Sequence, residues 1–266
     1  MRIRYVVSTM VFWGRQNRLS LEQECELLKS LGFGVELWPN TGGLDECSYD
    51  RRNWPRLVTA TEGMLVSMRS RNDKPSIEQW AEQIECAKLL KANIIADLQS
   101  LGVGQSSQVE DWDYLGQVVR MAEENDVKLC VESGELDVLK QIGDKFGSVW
   151  YCLDTGYASA DGEHSFREYV DALAGRVAHL HLAENYGRFD SHRPLGCQCG
   201  IAQEDWDHLL KSLKKYDNEI IGSLEMTPCI PVEMIRRAST FLFDVLKWPN
   251  RPKKSADHGK AASHPD

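Results

Sequence analysis

The chain has 266 residues, 42% hydrophobic and 27% charged, a mix that supports one large globular domain with a sizeable core. Its net charge of −9 repels phosphate backbones and argues against nucleic acid as the main partner. No stretch is long and apolar enough to span a membrane, and eight scattered cysteines without a C-x-x-C pair read as reduced thiols, as expected of a cytoplasmic protein.

The opening MRIRYVVSTMVFW has a basic start, but its apolar run is broken by Ser8 and Thr9 and no small-residue cleavage site follows. It is read as a strand over residues 3–8, with no signal peptide. Ser20-Leu-Glu-Gln23 fits a capping box, in which the hydroxyl accepts a backbone N–H and the Gln side chain reaches back, so a helix starts there. Strands are predicted over 34–38 and 64–68. A second capping box, Ser76-Ile-Glu-Gln79, opens a helix whose Ile77, Trp80, Ala81, Ile84 and Ala87 share one face. Strands then fall at 93–98, 127–132, 149–154, 177–183 and 220–226. Helices separate or follow them at 112–125, 135–146, 165–174, 204–214 and 231–246, the last opening on Pro231, which suits a first helical turn. Residues 248–266 are polar and without periodicity, so a disordered tail is expected after a single domain over 1–247.

Eight β-α alternations with no change of composition predict a (β/α)8 TIM barrel. The alternative, an open doubly wound sheet, is weakened because no G-x-G-x-x-G follows the first strand.

In such a barrel the active site lies at the C-terminal strand ends. Those ends carry Glu36, Glu132, Asp154, the pair His179 and His181, and Glu225. Strand alternation puts Cys130 with Glu132, Cys152 and Trp150 with Asp154, and Ser223 with Glu225, so the layer below the acids is built largely from small residues. One acid alone is more simply a helix cap or a lysine partner. Several at successive strand ends call for a cation, and a set of carboxylates with one imidazole suits Mn²⁺, Mg²⁺, Co²⁺ or Zn²⁺ equally. Cys197-Gln198-Cys199 has no second pair nearby and is read as loop.

The ordered pieces L-K-S-L-G-F-G-V-E-L (28–37), Glu132, L-D-T-G-Y (153–157), H-L-H-L-A-E-N (179–185), D-S-H-R-P-L-G (190–196) and S-L-E-M (223–226) resemble the xylose-isomerase-like TIM-barrel superfamily over nearly the whole chain. That superfamily holds sugar isomerases and epimerases, hydroxypyruvate isomerases, inosose dehydratases and apurinic endonucleases. The resemblance implies one divalent metal ion held by Glu132, Asp154, His181 and Glu225, with Glu132 and Glu225 also the acid/base pair and His179 a deeper support. The implied activity is isomerisation or epimerisation of a small keto-sugar or polyol through an enediolate. Trp13 and Trp38 would either wall the pocket or simply pack in the core, and Glu36 would bind a hydroxyl or support the metal shell. Tyr157 would face substrate, and His192 would bind a substrate hydroxyl or act as a second acid/base. Arg188 is a substrate-binding candidate for a carboxylate or phosphate, weighed against a solvated surface role. Arg69 and Arg71 stand near strand ends too, but a solvated surface role is the simpler reading for each.

The departures from the superfamily also matter. The endonuclease branch holds three zincs and takes histidines from the ends of strands three and four. Here those ends read SMRSR and ADLQS, and Tyr157 stands where a further histidine is needed, so Asp190 and His192 make half a site. The G-C-Q-C-G stretch at 196–200 differs from the usual shorter turn. The expected partner is a small carbohydrate, with neither nucleic acid nor membrane, and self-association into a homo-oligomer is left open. The competing activities are a lyase or dehydratase with the same metal, then an abasic-site phosphodiesterase or a non-catalytic sugar-binding barrel.

Overall fold

A computed structural model of the chain describes residues 1–43, 47–71, 74–104, 108–132, 134–186, 191–197 and 200–252. Strands and helices alternate in chain order: β1 Arg2–Ser8, α1 Leu21–Ser30, β2 Gly34–Leu37, α2 Trp54–Ala60, β3 Val66–Arg69, α3 Ile77–Leu90, β4 Asn93–Ala96 and α4 Trp112–Glu124. Then come β5 Leu129–Glu132, α5 Leu136–Lys145, β6 Trp150–Asp154, α6 Thr155–Ala160, α7 Phe166–Leu173, β7 Val177–Leu182, α8 Gln203–Leu213, β8 Glu219–Leu224 and α9 Val232–Thr240. The strands form a closed parallel barrel in sequence order, with β8 returning to pair with β1 from Arg2↔Glu219 to Val7↔Leu224. This is a (β/α)8 barrel.

Local chemistry starts the helices where the sequence places them. Both predicted capping boxes form: Ser20 and Ser76 each accept from the backbone N–H three residues on, and each Gln returns the bond at 2.9 and 2.8 Å. Ser165 and Glu168 make a third. The predicted face of α3 buries Trp80, Ile84 and Ala87 between helix and barrel, and the Trp80 indole donates to the Tyr114 hydroxyl on α4 at 2.7 Å.

Two short helices lie outside the periodic pattern. In α2, Pro55 looks like a breaker, yet it sits in the first turn, where its missing N–H costs nothing. In α6 the helix begins directly on the last residue of β6, because the Asp154 carboxylate accepts from the Tyr157 N–H at 2.9 Å.

The tail boundary at 247 falls a few residues early. Trp248 is buried edge-on against Trp206, with ring centroids 6.0 Å apart, and its N–H donates to Leu242 at 3.1 Å. Arg251 pairs with Asp244 at 2.6 Å. Residues 253–266 lie outside the described residues. Among the described residues no helix is long and apolar enough to cross a membrane.

The interior of the barrel is separate from the main core between sheet and helices. Ile95, Cys130, Cys152 and Ala178 pack there with Trp150 as a thin apolar floor. A register shift between Tyr151 and Cys152 accommodates β7 against β6. The small side chains matter, because eight strand interiors leave room for little more than one layer of side chains at a time.

One acid is misplaced for a surface helix. Glu24, in the first turn of α1, is fully buried, and no side chain hydrogen-bonds to its oxygens. Burial pushes its carboxyl up to about 8, against a partial counter-pull from Arg18, the Gly42 backbone N–H and Arg15. A carboxyl raised in the folded state is an advantage only while protonated, so stability falls as pH rises from the ordinary value of 4.5 through about 8. Glu24→Gln should therefore gain stability over the wild type by a few kcal/mol across that window, roughly 1.4 kcal/mol per pH unit at most. Urea midpoints of both proteins at pH 5, 6.5 and 8 check this, and a gap that stays constant with pH would rule it out.

Candidate metal centre

Five strands deliver the polar residues to one place. Glu132 and Asp154 end β5 and β6, His179 and His181 lie on β7, and Glu225 follows β8. Glu36 comes from β2. Alternation turns all of them inward, with Glu36 and His179 one layer deeper than Glu132, Asp154, His181 and Glu225. One donor atom from each of Glu132, Asp154, His181 and Glu225 lies within 4.8 Å of the others, and all four residues are buried.

His181 is the hub. Its Nδ1 is 2.7 Å from a Glu132 oxygen, 2.7 Å from a Glu225 oxygen and 3.7 Å from an Asp154 oxygen. Its Nε2 faces the other way, 3.3 Å from Glu36 Oε2, which also meets His179 Nε2 at 2.9 Å. Glu36 is fully buried below the cluster and takes a further weak bond from Ser67 at 3.4 Å. A carboxylate behind an imidazole holds a proton on the rear nitrogen, so the front nitrogen is the one that would give up its proton and ligate a metal ion. Of the two expectations for Glu36, hydroxyl binding or support, these contacts match support. His179 lies below His181, as a deeper residue of the same network.

The electrostatics are tight. Burial works against a charge on Glu132, but Arg69 and His181 overcome it and hold the carboxyl at about 2. Burial opposes charge on Glu36 as well, and His181 and His179 pull it well below the usual range. Glu225 is 1% exposed; its oxygens take no well-angled hydrogen bond, and the positive groups near them are His181 Nδ1 at 2.7 Å and Arg69 Nη1 at 3.9 Å. Buried carboxylates are costly unless positive charge meets them. The donor set fits a divalent ion: three carboxylates and one imidazole converge, the oxygen and nitrogen donors such an ion takes. Cys152, His179 and His181 also lie close together. Burial drives the Cys152 thiol up, and the residue packs with Ile95, Cys130 and Ala178 in the floor.

Arg69 departs most from the sequence reading. It is 9% exposed, not solvated, and its guanidinium donates to Glu132. Its ζ carbon lies 4.5 Å from the centre of the Trp38 ring. The Trp38 indole N–H donates to the Ser8 hydroxyl at 2.7 Å, and Trp13 meets Trp38 edge-on at 4.9 Å. Both tryptophans are half-buried and together flank the cluster on the β1–β2 side. Arg71 does stay clear of the site, paired with Asp50 at 3.1 Å and Glu82 at 3.0 Å. The signal for Arg69 was the alternation already applied to the acids: Ser67, beside Glu36 in register, shares its face.

The remaining expected residues divide. Tyr157 is half-buried on α6, ring against Tyr169. His192 is half-buried in left-handed backbone (φ 46°), and its carbonyl accepts from the N–H and hydroxyl of Thr227 at 2.7 and 2.9 Å. That tie holds the loop after β7 to the segment just beyond Glu225. In the same loop Gly196 and Gly200 have φ of 88° and 102°, and a Cβ at Gly200 would collide with the Asn185 carbonyl. Arg188, Asp190 and Cys199 lie outside the described residues. A cavity of about 570 Å³ opens at the opposite end of the barrel, lined by Arg2, Phe33, Met64 and Arg251 among others, and touches none of the cluster.

A family model described as a xylose isomerase-like TIM barrel matches residues 17–244. Among solved structures, a D-psicose 3-epimerase from Clostridium cellulolyticum H10 is similar at 14% identity and TM-score 0.63, over 92% of this chain and 98% of that one. A xylose isomerase domain protein from Planctomyces limnophilus is similar at 14% identity and TM-score 0.59, over 92% and 96%. A family 2 AP endonuclease from Brucella melitensis is similar at 12% identity and TM-score 0.61, over 91% and 98%. At these identities the likeness is one of fold. A comparison with curated proteins finds no match.

Replacing Glu36 tests the network below the cluster. Glu36→Gln removes the charge that both histidines face, and breaking a buried pair of this kind costs about 3 kcal/mol or more. The drop should appear in the urea midpoint of the purified variant. A loss under about 1 kcal/mol would show that the network does not depend on that carboxylate.

Proposed function

The chain belongs to the xylose isomerase-like TIM-barrel family, and we propose that it is a metal-dependent isomerase or epimerase of a small keto-sugar or polyol. The observation that carries the reading is the convergence of Glu132, Asp154, His181 and Glu225, all buried, with one donor atom of each within 4.8 Å of the others. These four residues would hold one divalent cation, with Mn²⁺, Mg²⁺, Co²⁺ and Zn²⁺ all compatible with the donors. When bound, the cation supplies Lewis-acid charge that lowers the energy of an enediolate.

The side chains supply the rest. Glu132 and Glu225 come from β5 and the end of β8, so they approach a substrate from different sides. One carboxylate takes the proton from the carbon beside the carbonyl. The C–H electron pair becomes the enediolate double bond, and the carbonyl pair moves to oxygen. The other carboxylate, or the same one, returns a proton to the opposite face of the same carbon, or to the former carbonyl carbon. In the second case the neighbouring hydroxyl proton passes to the former carbonyl oxygen, and the new carbonyl forms where that hydroxyl stood. The two tryptophans offer apolar surface to a sugar, His192 stands on the loop that follows β7 and Tyr157 in the first turns of α6 after β6.

A phosphodiesterase centre of several metals finds less support. Among the described residues the ends of β3 and β4 bring Arg69 and Asp97 rather than histidines, and a net charge of −9 disfavours a phosphate backbone.

The test is solvent exchange. Protein stripped of metal and reloaded with Mn²⁺ should wash deuterium from D₂O into the carbon next to the carbonyl of its ketose, read by NMR across a panel of ketohexoses and ketopentoses. Chelation should abolish it. Glu132→Gln and Glu225→Gln should each slow it by about 10²–10⁴-fold. Turnover that survives Glu132→Gln would overturn the proton-transfer assignment, and an unsaturated product would replace the isomerase with a lyase.

A further inference from the structure

Arg69 has no role in the scheme above, yet it stands inside it. Its Nη1 donates to Glu132, lies 3.4 Å from His181 Nδ1 and lies 3.9 Å from Glu225 Oε1. Those are the groups a metal ion would use. A metal bound to His181 Nδ1 stands about 2.1 Å from it, hence no more than about 5.5 Å from Nη1 where the guanidinium now lies. Two cations that close in a buried site repel strongly.

Nor is Arg69 a loose surface chain that has swung inward. It is the last residue of β3 and its carbonyl is fixed by Gln83 at 2.9 Å. Trp38 supports the face of the guanidinium at 4.5 Å, and Trp38 is itself anchored by Ser8 and by the edge of Trp13. The planar, permanently charged guanidinium suits a carboxylate-rich, desolvated position better than a lysine would.

Building on the metal reading above, we propose that Arg69 is the second cation of this centre. Its guanidinium fills the space and supplies the charge that a second metal would otherwise bring. It thereby limits the centre to one divalent ion and sets the affinity for that ion by competing for Glu132.

Calorimetric titration of metal-stripped protein with Mn²⁺ tests this in the wild type, Arg69→Met and Arg69→Lys. The wild type should bind one ion. Arg69→Met should bind at least tenfold more tightly, or accept a second ion. Arg69→Lys, which keeps the charge but loses the planar fork, should fall between. Metal-free Arg69→Met should melt below metal-free wild type and recover more on adding Mn²⁺, because its carboxylates lack their internal cation. One-ion binding by Arg69→Met that is equal to or weaker than wild type overturns the competition and leaves the metal reading standing. No binding by either protein overturns both. Should Arg69→Met fail to fold, Arg69→Lys decides alone: tighter binding supports the proposal, and equal or weaker binding overturns it.

Discussion

Buried negative charge is the constraint on which the rest of this barrel depends. Glu36, Glu132, Asp154 and Glu225 are all nearly or wholly withdrawn from water inside one ring of strands. Carboxylates in such a place either protonate or acquire positive partners, because isolated buried charge is too costly. Here they acquire partners. His181 stands between Glu132 and Glu225 on one side and Glu36 on the other, and Arg69 reaches across from β3. The depressed Glu132 and Glu36 carboxyls are the electrostatic record of that arrangement.

The scaffold below makes the arrangement affordable in space. Cys130, Cys152 and Ala178 occupy the layer beneath the acids, so the histidines of β7 can stack along the barrel axis without crowding. The same small floor keeps Glu36 from water, which strengthens its bonds to both imidazoles. Packing and electrostatics are therefore a single design: the floor sets the dielectric, and the dielectric sets how firmly His181 presents its front nitrogen. The aromatic pair on the β1–β2 side does the corresponding work for Arg69.

Much of this was legible in the sequence because it follows from periodicity. Eight apolar runs, two Ser-x-x-Gln boxes and a series of acids at strand ends were enough for the barrel and for the residues that meet at its mouth. What escaped depended on single residues at boundaries. Ending the third strand at Met68 left Arg69 in a loop, and so on the surface, whereas one more residue of alternation turns it inward. The tail began too early because Trp248 carries no periodic signal and is held by Trp206, far away in sequence. Glu36 was ambiguous for another reason. Whether an acid meets substrate or backs a histidine depends on depth along the barrel, and depth is set by strand register rather than by local composition.

Asp154 shows how narrowly such a position is specified. One of its oxygens starts α6 by accepting from Tyr157, while the other turns toward His181. Asparagine would still begin the helix but would bring no charge to the cluster. Glutamate would bring the charge but is a poor residue for the cap. Serine and threonine share the first shortcoming. A residue that must be anion and cap at once has essentially one solution among the twenty, so at this point the route by which the chain can drift while keeping both fold and chemistry narrows to a single letter.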